Sequence, residues 1–260
     1  MTEYMFNQSP SFSVKGEKFN VIILASGLGS RLGPETSQIP KPLVSLDKEG
    51  TKSINYLMEK FQYLAERMII TTAYCADLLE YYLRGKYEIL NPIFSRENVS
   101  ELKSPGRSLV FGLDHALSNL PTIVIFCDYI IEDYIPVDND ALCVSQAPQP
   151  PYIVDPYPKS IPVIEEGIII DLIPNANLQE KRYGGFPGIG IFHNTLLLKS
   201  IAYSKAQEKN LDVAYDFDIV KEYVKNVKTT PIYISKMYEF GTIEMLKQVR
   251  EKDNSNDANN

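Results

Sequence analysis

The stretch NVIILASGLGSRLGPETSQIPKPL, residues 20–43, decides the fold prediction, because an apolar run passes directly into a glycine-rich turn. Its first six residues are typical of a strand that is covered on both faces of a parallel sheet. Gly27 and Gly29 then lack the Cβ atoms that would hold a phosphate away from the backbone, and glycine allows the positive φ angles at which successive N–H groups converge on an anion. Since α/β folds bind ligands where parallel strands end, the pattern predicts an anion site at this turn.

Two cations follow the turn. Arg31 is close enough along the chain to reach the same anion, and a guanidinium can bind phosphate oxygens bidentately. Lys41 lies between two prolines, which fix the local φ angles and stiffen the loop. A tight strand-to-helix turn with solvated surface cations would also explain these residues. The turn is not the dinucleotide fingerprint, whose third glycine is replaced by Leu32, and no Walker Gly-Lys-Ser/Thr sequence follows.

Strands and helices alternate through the first half of the chain, which predicts βαβ units and a mainly parallel sheet. Apolar runs predict strands at 20–25, 68–72, 87–90 and 122–130, and helical spacing predicts helices at 52–65, 76–85 and 106–120. After residue 140 we predict further strands at 141–146, 185–192 and 228–236, a hairpin at 163–174 with Glu166-Gly167 at its turn, and helices at 193–201, 216–226 and 242–252. A segment with six prolines, residues 147–162, cannot be regular structure, except as an edge or extended segment.

The predicted fold is therefore α/β: a Rossmann-like, mainly parallel sheet flanked by helices, with a β-rich acceptor lobe. We expect a single domain over residues 19–250. Residues 1–18 are polar and aperiodic, which predicts a flexible arm, and the polar end EKDNSNDANN, residues 251–260, predicts a disordered tail.

Composition limits the classes of function and the location. The net charge is −7, from 26 Lys and Arg against 33 Asp and Glu, which argues against a nucleic-acid groove but allows a small anionic ligand held by local cations. The three cysteines have no metal-ligand spacing and favour a reducing compartment. We find no signal peptide and no window of about 20 apolar residues, so we expect a cytoplasmic protein without a membrane partner. A homo-oligomer remains possible.

Taken whole, residues 24–43 resemble the signature of the nucleotidyltransferases that activate phosphorylated metabolites, namely the sugar-1-phosphate nucleotidyltransferases and their phosphocholine cytidylyltransferase relatives. That signature reads L-A-x-G-x-G-S/T-R-L-x-P-x-T, followed after a few residues by P-K-P/x-L. The matching positions are Leu24, Ala25, Gly27, Gly29, Ser30, Arg31, Leu32, Pro34, Thr36, Pro40, Lys41, Pro42 and Leu43. The resemblance covers residues 20–250 and is strong only at the signature.

The resemblance implies a magnesium-dependent transfer of a nucleotidyl group from a nucleoside triphosphate to a phosphorylated acceptor, with release of pyrophosphate. It implies catalytic roles for Arg31 and Lys41 and an acceptor site that includes Lys41 and Gly188. The nucleotide-binding residues it implies are Leu24, Ala25, Ser26, Gly27, Leu28, Gly29, Ser30, Arg31, Gly106 and Ser108. Arg107, beside the last two, is either a further phosphate contact or a solvated side chain.

The resemblance also implies the ligands of a Mg²⁺ cofactor. The family's first carboxylate ligand closes a hydrophobic strand, as Asp128 does in IVIFCDYI. An Asp that caps the next element would read the same way from the strand alone. For the second ligand, KMYEFGTIEML lies between the two patterns of the family and nominates Glu239, with Asp216 and Asp218 of YDFDIV as rivals.

The acceptor is where the chain departs from the family. Sugar-phosphate enzymes usually carry Glu-Lys-Pro after the middle hairpin, and here Ile173, Pro174 and Asn175 stand there. We therefore expect a cytidylyltransferase acting on a small or unusual phosphorylated acceptor, such as phosphocholine or a polysaccharide precursor. One alternative is a glycosyltransferase of related fold, which should carry Asp-x-Asp where CDYI has a single Asp. The other is an inactive nucleotide-binding subunit.

Overall fold

The computed structural model describes residues 16–101, 104–154, 159–175 and 184–257, and for 252–257 it describes the backbone alone. The strands in these ranges are β1 Phe19–Leu24, β2 Ala65–Thr72, β3 Ile93–Arg96, β4 Thr122–Phe126, β5 Tyr129–Ile131, β6 Ala141–Ser145, β7 Ser160–Glu165, β8 Ile168–Pro174, β9 Gly190–Phe192, β10 Thr230–Ile234 and β11 Met237–Glu239. The α-helices are α1 Ser53–Phe61, α2 Ala76–Lys86, α3 Pro105–Asp114, α4 Thr195–Glu208, α5 Lys221–Asn226 and α6 Ile243–Asp257. A short π-helix, Tyr215–Val220, runs into α5.

Seven strands form one sheet in the order β10-β6-β9-β4-β1-β2-β3. β1 pairs in parallel with both β2 and β4, and β9 runs antiparallel to its two neighbours. Two small antiparallel sheets, β5 with β11 and β7 with β8, lie outside it. The predicted α/β fold, mainly parallel and accompanied by extra β structure, is confirmed.

β1 is an interior strand between β4 and β2, and both of its faces are apolar. Val21 and Ile23 belong to the core that includes α1 and α2, whereas Ile22 and Leu24 belong to the core that includes α3 and α4. Burying each such branched side chain contributes about 1.5–3 kcal/mol. Alternate side chains of one strand thus anchor helices on opposite faces, and the end of β1 is fixed where the glycine turn begins.

The β5–β11 ribbon joins distant parts of the chain. Tyr129 pairs with Glu239 in its register, and Ile153 adds a bridge along the other side of β11. The backbone N–H of Glu239 donates to the carbonyl of Ile153 at 2.8 Å. As a result, Asp128 and Glu239 reach the same end of the ribbon.

α6 fastens the loop that follows the glycine turn. Val249 packs in one apolar cluster with Leu32 of that loop. The Arg250 guanidinium binds both carboxylate oxygens of Glu35, at 2.8 and 2.9 Å, and also donates to the carbonyl of Ser45. A bidentate ion pair and an apolar contact therefore hold residues 30–36 against the last helix.

One predicted strand differs from the structure, and the predicted hairpin agrees with it. The predicted third strand, 87–90, contains a 3-10 turn, and the strand that pairs with β2 is β3 instead. Asn91 ends the turn with a φ of +42°, and periodicity alone does not distinguish a short apolar turn from a strand. The hairpin is confirmed, with Glu166 and Gly167 at φ +49° and +77°, the positive values that a tight two-residue turn requires.

The predicted ends of the domain are only partly described. Residues 1–15 and 258–260, within the predicted arm and tail, lie outside the described residues. The backbone of 251–257 continues α6 as a helix, although a disordered tail is predicted there. Extending a helix that is already nucleated costs little free energy, so the polar residues that follow the buried first turns of α6 continue the helix. In the described part of the chain no helix is both long and apolar enough to cross a lipid bilayer.

Candidate active site

Gly29 allows the glycine turn to pack closely against Thr36 and Lys41. This residue has a φ of +68°, and a Cβ atom on it would lie 2.9 Å from Cγ2 of Thr36 and 3.3 Å from Cβ of Lys41. The Thr36 hydroxyl donates to the carbonyl of Gly29 at 3.0 Å. Gly27 has neither a positive φ nor a neighbour within 4 Å, so its missing side chain leaves open space at the turn. The predicted positive φ therefore holds for Gly29 and not for Gly27.

Lys41 and Asp128 form a close ion pair. Nζ of Lys41 lies 2.5 Å from Oδ2 of Asp128, and the two side chains are 11% and 10% exposed. Pro42 and Leu43, buried in the same short turn, hold the lysine in place. Since little water screens this pair, the ammonium and the carboxylate strongly determine each other's position.

Arg31, Asp128 and Glu239 converge on one point. A methyl-sized carbon placed on Gly241 would lie 3.3 Å from Nη2 of Arg31, 3.5 Å from Oε1 of Glu239 and 3.6 Å from Oδ2 of Asp128. Both carboxylates belong to residues that are less than 10% exposed. With Lys41 also against Oδ2 of Asp128, two cations and two anions lie in one small volume.

The donor set fits a magnesium ion. Mg²⁺ is usually bound by one or two carboxylates, together with water and substrate phosphates. Asp128 and Glu239 supply two carboxylates side by side, and the Lys41 ammonium already lies against one of them. Within the described ranges, no group of three or more His, Cys, Asp or Glu is arranged to hold a metal. The remaining ligands would therefore come from the substrate and from water.

The two rival acids have different surroundings. Asp218 accepts hydrogen bonds from the backbone N–H of Ala214, at 2.7 Å, and from Lys209, at 2.6 Å. Its carboxylate is therefore engaged at the start of the π-helix, with a side chain that is 12% exposed. Asp216 lines the same cavity as Asp128 and Glu239. Of the two, only Asp216 faces the cluster of charges.

Two cavities meet at the charged cluster. The smaller, about 390 Å³, is bounded by the glycine turn, by Lys41 and by the start of α3. The larger, about 570 Å³, is bounded by the loop before β9, by the start of the π-helix and by Glu239. The residues that line both cavities are Arg31, Ser104, Pro105, Phe126, Asp128 and Lys159. A ligand in one cavity would therefore touch a ligand in the other at Arg31, Asp128 and Lys159.

No family model matches the chain. Residues of the chain are 31% identical, over 124 positions, to 2-aminoethylphosphonate cytidylyltransferase of Lancefieldella rimae, a match that covers 46% of this chain and 48% of that one. They are 30% identical, over 135 positions, to N-acetylmuramate alpha-1-phosphate uridylyltransferase of Caulobacter vibrioides, covering 49% of this chain and 53% of that one. The chain thus spans about half the length of the curated relatives it matches.

The fold of the chain is similar to that of solved nucleotidyltransferases. The CTP:phosphocholine cytidylyltransferase of Streptococcus pneumoniae superposes with a TM-score of 0.72 and 20% identity, over 90% of this chain and 99% of that one. A UDP-glucose pyrophosphorylase in complex with UDP-glucose superposes with a TM-score of 0.69 and 18% identity, over 94% of this chain and all of that one. Over about half of its length the chain is similar in sequence to nucleotidyltransferases, and its fold is similar to that of solved nucleotidyltransferases. The family resemblance stated for the signature is confirmed.

Most residues that the nucleotidyltransferase signature nominates lie at the cavities. Leu24, Ser26, Gly27, Leu28, Gly29, Ser30, Arg31, Lys41, Ser108 and Asp128 line the smaller cavity, and Gly188 and Glu239 line the larger one. Two nominated residues, Ala25 and Gly106, line neither cavity. Ala25 is buried, and its backbone N–H donates to the Thr71 hydroxyl.

Gly106, Arg107 and Gly188 have packing roles that the sequence did not reveal. A Cβ on Gly106 would lie 2.2 Å from the carbonyl oxygen of Val213, so this glycine allows α3 to approach a neighbouring backbone. Arg107 is buried, neither solvated nor at a phosphate site, and pairs with Glu101 at 2.6 Å. Gly188 leaves room for the ring of Phe126, which would lie 2.5 Å from an added Cβ, although it still borders the larger cavity.

Replacing Gly106 by alanine is expected to lower the free energy of unfolding by about 3 kcal/mol, because the new methyl group would overlap backbone atoms that cannot turn away. Urea denaturation measures this change. Gly85→Ala is the matched control, since Gly85 is exposed in α2 with nothing within 4 Å of an added Cβ. We expect that variant to be about 0.5–1 kcal/mol more stable than the wild type. Equal stability of both variants would contradict the packing role.

Sequence reasoning missed several residues of the cavities. Lys159 lines both of them and adds a third cation, but it lies within the proline-rich segment 147–162 and belongs to no motif. Tyr215 and Phe217 alternate with the two acids of YDFDIV, and only the acids attract attention in the sequence. The aromatic pattern of that run is the signal that could have revealed part of the larger cavity.

Proposed function

We propose that the protein transfers a nucleotidyl group from a nucleoside triphosphate, preferentially CTP, to a small phosphorylated or phosphonylated acceptor and releases pyrophosphate. The observation that carries this proposal is the wall shared by the two cavities, which contains Arg31, Asp128 and Lys159. The triphosphate occupies the smaller cavity, against the glycine turn, and the acceptor occupies the larger one. Their phosphorus-bearing ends meet at the shared wall.

The reaction is an in-line displacement at the α-phosphorus. An oxygen of the acceptor's phosphate or phosphonate attacks and forms the new O–P bond. The bond from the α-phosphorus to the bridging oxygen breaks, and this oxygen leaves with the electron pair as pyrophosphate. Because the nucleophile is already an anion, no general base is needed, and the protein's task is to align two polyanions that repel each other.

The charged residues divide this task. Arg31 binds the triphosphate and the departing pyrophosphate, whose charge grows as the bond breaks. Lys159, which lines both cavities, holds the acceptor's anionic group toward the α-phosphorus. Lys41 lines the smaller cavity beside Asp128 and reaches that group across the shared wall. Mg²⁺, when held by Asp128 and Glu239, would neutralise triphosphate charge and polarise the α-phosphate. These carboxylates retain a cation where two anionic substrates meet.

The larger cavity supports an acceptor with a cationic nitrogen. Phe126 and Tyr215 pack with ring centroids 5.6 Å apart, and Phe186 lies 5.8 Å from Tyr215. Burial raises the pKa of Tyr215 well above its usual value, so its phenol stays neutral. Asp216 lines the cavity beside these rings. Aromatic faces and a carboxylate suit a substituted ammonium better than the hydroxyls of a hexose.

The acceptors named for two of the similar proteins have the chemistry that the larger cavity favours. Both 2-aminoethylphosphonate and phosphocholine combine a cationic nitrogen with a phosphorus oxyanion about two carbons away. An acceptor of this size leaves the oxyanion free to reach Lys41 and Lys159 while its nitrogen lies among the aromatic rings. The missing Glu-Lys-Pro after the hairpin also favours such an acceptor over a hexose phosphate.

Pyrophosphate release, measured with four triphosphates against five acceptors, tests the proposal. The acceptors are glucose 1-phosphate, mannose 1-phosphate, a heptose phosphate, phosphocholine and 2-aminoethylphosphonate. We expect turnover with CTP and one of the last two. Preference for a common hexose 1-phosphate would contradict the acceptor assignment, and no release with any pair would contradict nucleotidyl transfer.

Asp216→Asn is expected to raise KM for the cationic acceptor by about tenfold and to leave KM for the triphosphate unchanged, because one charge-assisted contact is lost in the acceptor cavity alone. The control is a neutral isostere, 3,3-dimethylbutyl phosphate in place of phosphocholine. The wild type should prefer phosphocholine, and the variant should treat the two nearly alike. An unchanged preference would remove Asp216 from acceptor binding.

The alternatives receive less support. A glycosyltransferase would give Arg31 and Lys41 no evident role. An inactive nucleotide-binding subunit would have no need of two carboxylates and two cations in one small volume, and the convergence of Arg31, Asp128 and Glu239 near Gly241 favours an active enzyme.

A further inference from the structure

The smaller cavity has two chemically different sides. One side carries the charges of Arg31, Lys41 and Asp128. The other carries the hydroxyl-bearing residues Ser26 and Ser108, on the glycine turn and on α3. On the proposed function, the triphosphate lies on the charged side. The base then lies toward the neutral side, where hydrogen bonds can distinguish one base from another.

A buried bridge connects the two elements on the neutral side. The Ser26 hydroxyl donates to Oε1 of Glu97 at 2.7 Å, and Oε2 of Glu97 lies 3.4 Å from Nε of Arg107 on α3. The Glu97 side chain is fully buried, and the backbone N–H of Glu97 donates to the carbonyl of Thr72, at the end of β2. Glu97 is thus fixed to the sheet and holds the glycine turn and α3 at a set distance.

The bridge also determines that the Ser26 oxygen can only accept a hydrogen bond from a ligand. A carboxylate paired with a guanidinium accepts hydrogen bonds and cannot donate them, so the single proton of the Ser26 hydroxyl is committed to Glu97. Only the lone pairs of the Ser26 oxygen remain. A ligand group that meets this oxygen has to be a donor, since a second acceptor would face it unpaired.

The four common bases differ in the group that would meet the Ser26 oxygen, at C4 of a pyrimidine or at C6 of a purine. Cytosine and adenine carry an exocyclic amino group, which donates, whereas uracil and guanine carry a carbonyl oxygen at the corresponding position, which accepts. We propose that Ser26, oriented by Glu97, selects a nucleoside triphosphate whose base carries an amino group at C4 of a pyrimidine or at C6 of a purine. CTP and ATP meet this condition, whereas UTP and GTP carry a carbonyl oxygen at these positions. Glu97 is a positioning residue in this scheme, and Ser26 determines specificity.

Equilibrium binding of CTP, ATP, UTP and GTP, in the presence of Mg²⁺ and without an acceptor, tests the inference. The wild type is expected to bind the better of CTP and ATP about tenfold more tightly than UTP or GTP, as one hydrogen bond allows. Ser26→Ala should remove this preference. Glu97→Gln should also reduce this preference. The amide of Gln can donate to the Ser26 oxygen, which leaves the Ser26 O–H free to donate to a carbonyl of the base.

The matched control is Glu101→Gln. Glu101 is the other carboxylate that pairs with Arg107, but its side chain is 57% exposed and does not contact Ser26 through the bridge. This variant should keep the base preference of the wild type. Thermal unfolding of each variant shows whether it is folded, and Ser26→Ala decides the question if Glu97→Gln does not fold.

Wild-type protein that binds UTP or GTP as tightly as CTP and ATP would overturn the inference, and so would a Ser26→Ala variant that keeps the preference. Because no acceptor is present, the ranking of triphosphates is independent of turnover. Failure to release pyrophosphate with any acceptor would contradict the proposed function, while the base ranking would still decide the role of Ser26.

Discussion

Asp128→Asn is expected to lower kcat by about 10³-fold, the largest loss of any single substitution considered. The amide keeps the shape of the side chain but removes the charge that, on the proposed function, retains a cation between the two substrates. It also removes the partner that lies 2.5 Å from the Lys41 ammonium. Initial rates of pyrophosphate release over a range of Mg²⁺ concentrations measure the loss, and excess Mg²⁺ should not restore the rate.

Two further substitutions separate a metal ligand from a nearby acid. Glu239→Gln should lose much of the activity, because Oε1 of Glu239 lies beside Asp128. Asp218→Asn should be close to wild type, since the amide oxygen can still accept from Ala214 and the partner Lys209 is 42% exposed. A fully active Glu239→Gln with an inactive Asp218→Asn would show that the second ligand is assigned wrongly.

Arg31→Ala and Lys41→Ala are each expected to lower kcat/KM by about 10²-fold, because both cations stabilise charge that develops at the phosphates. Arg31 is exposed, so its loss should leave the free energy of unfolding almost unchanged. Lys41→Ala leaves Asp128 without its closest partner, and urea denaturation of this variant is needed to separate lost stability from lost catalysis.

Arg31→Lys is the informative companion variant. Lysine keeps the charge but lacks the planar pair of donors that binds phosphate oxygens bidentately, so partial activity is expected. Near-normal turnover of Arg31→Ala or Lys41→Ala would remove that residue from the mechanism.

The sequence predicts the part of the site that is local in the chain. β1 and the turn after it are recognisable because a strand buried on both faces is continuously apolar and because Gly29 needs a positive φ. The signature also places Arg31 and Lys41 close together along the chain. Their catalytic roles stay predictions, but their positions at one cavity agree with the pattern.

The parts that the sequence does not predict depend on contacts between distant segments. Asp128 and Glu239 are each suggested by a motif, but the ribbon that brings them together pairs two three-residue strands with no periodicity of their own. Lys159 reaches the shared wall only through the fold. Gly106 illustrates the opposite error, because a glycine near a ligand motif serves the packing of α3.

The clamp between Arg250 and Glu35 has a consequence for synthesis of the chain. The two residues are 215 positions apart, and the loop that the clamp fixes follows the first strand of the sheet. A ribosome makes this loop before α6, and its ion pair forms only after α6 has emerged. Contacts between such distant segments close late in folding, because the intervening chain has to be ordered first. The segment that carries Arg31 and Glu35 is thus translated well before α6 and becomes rigid only after α6 has docked.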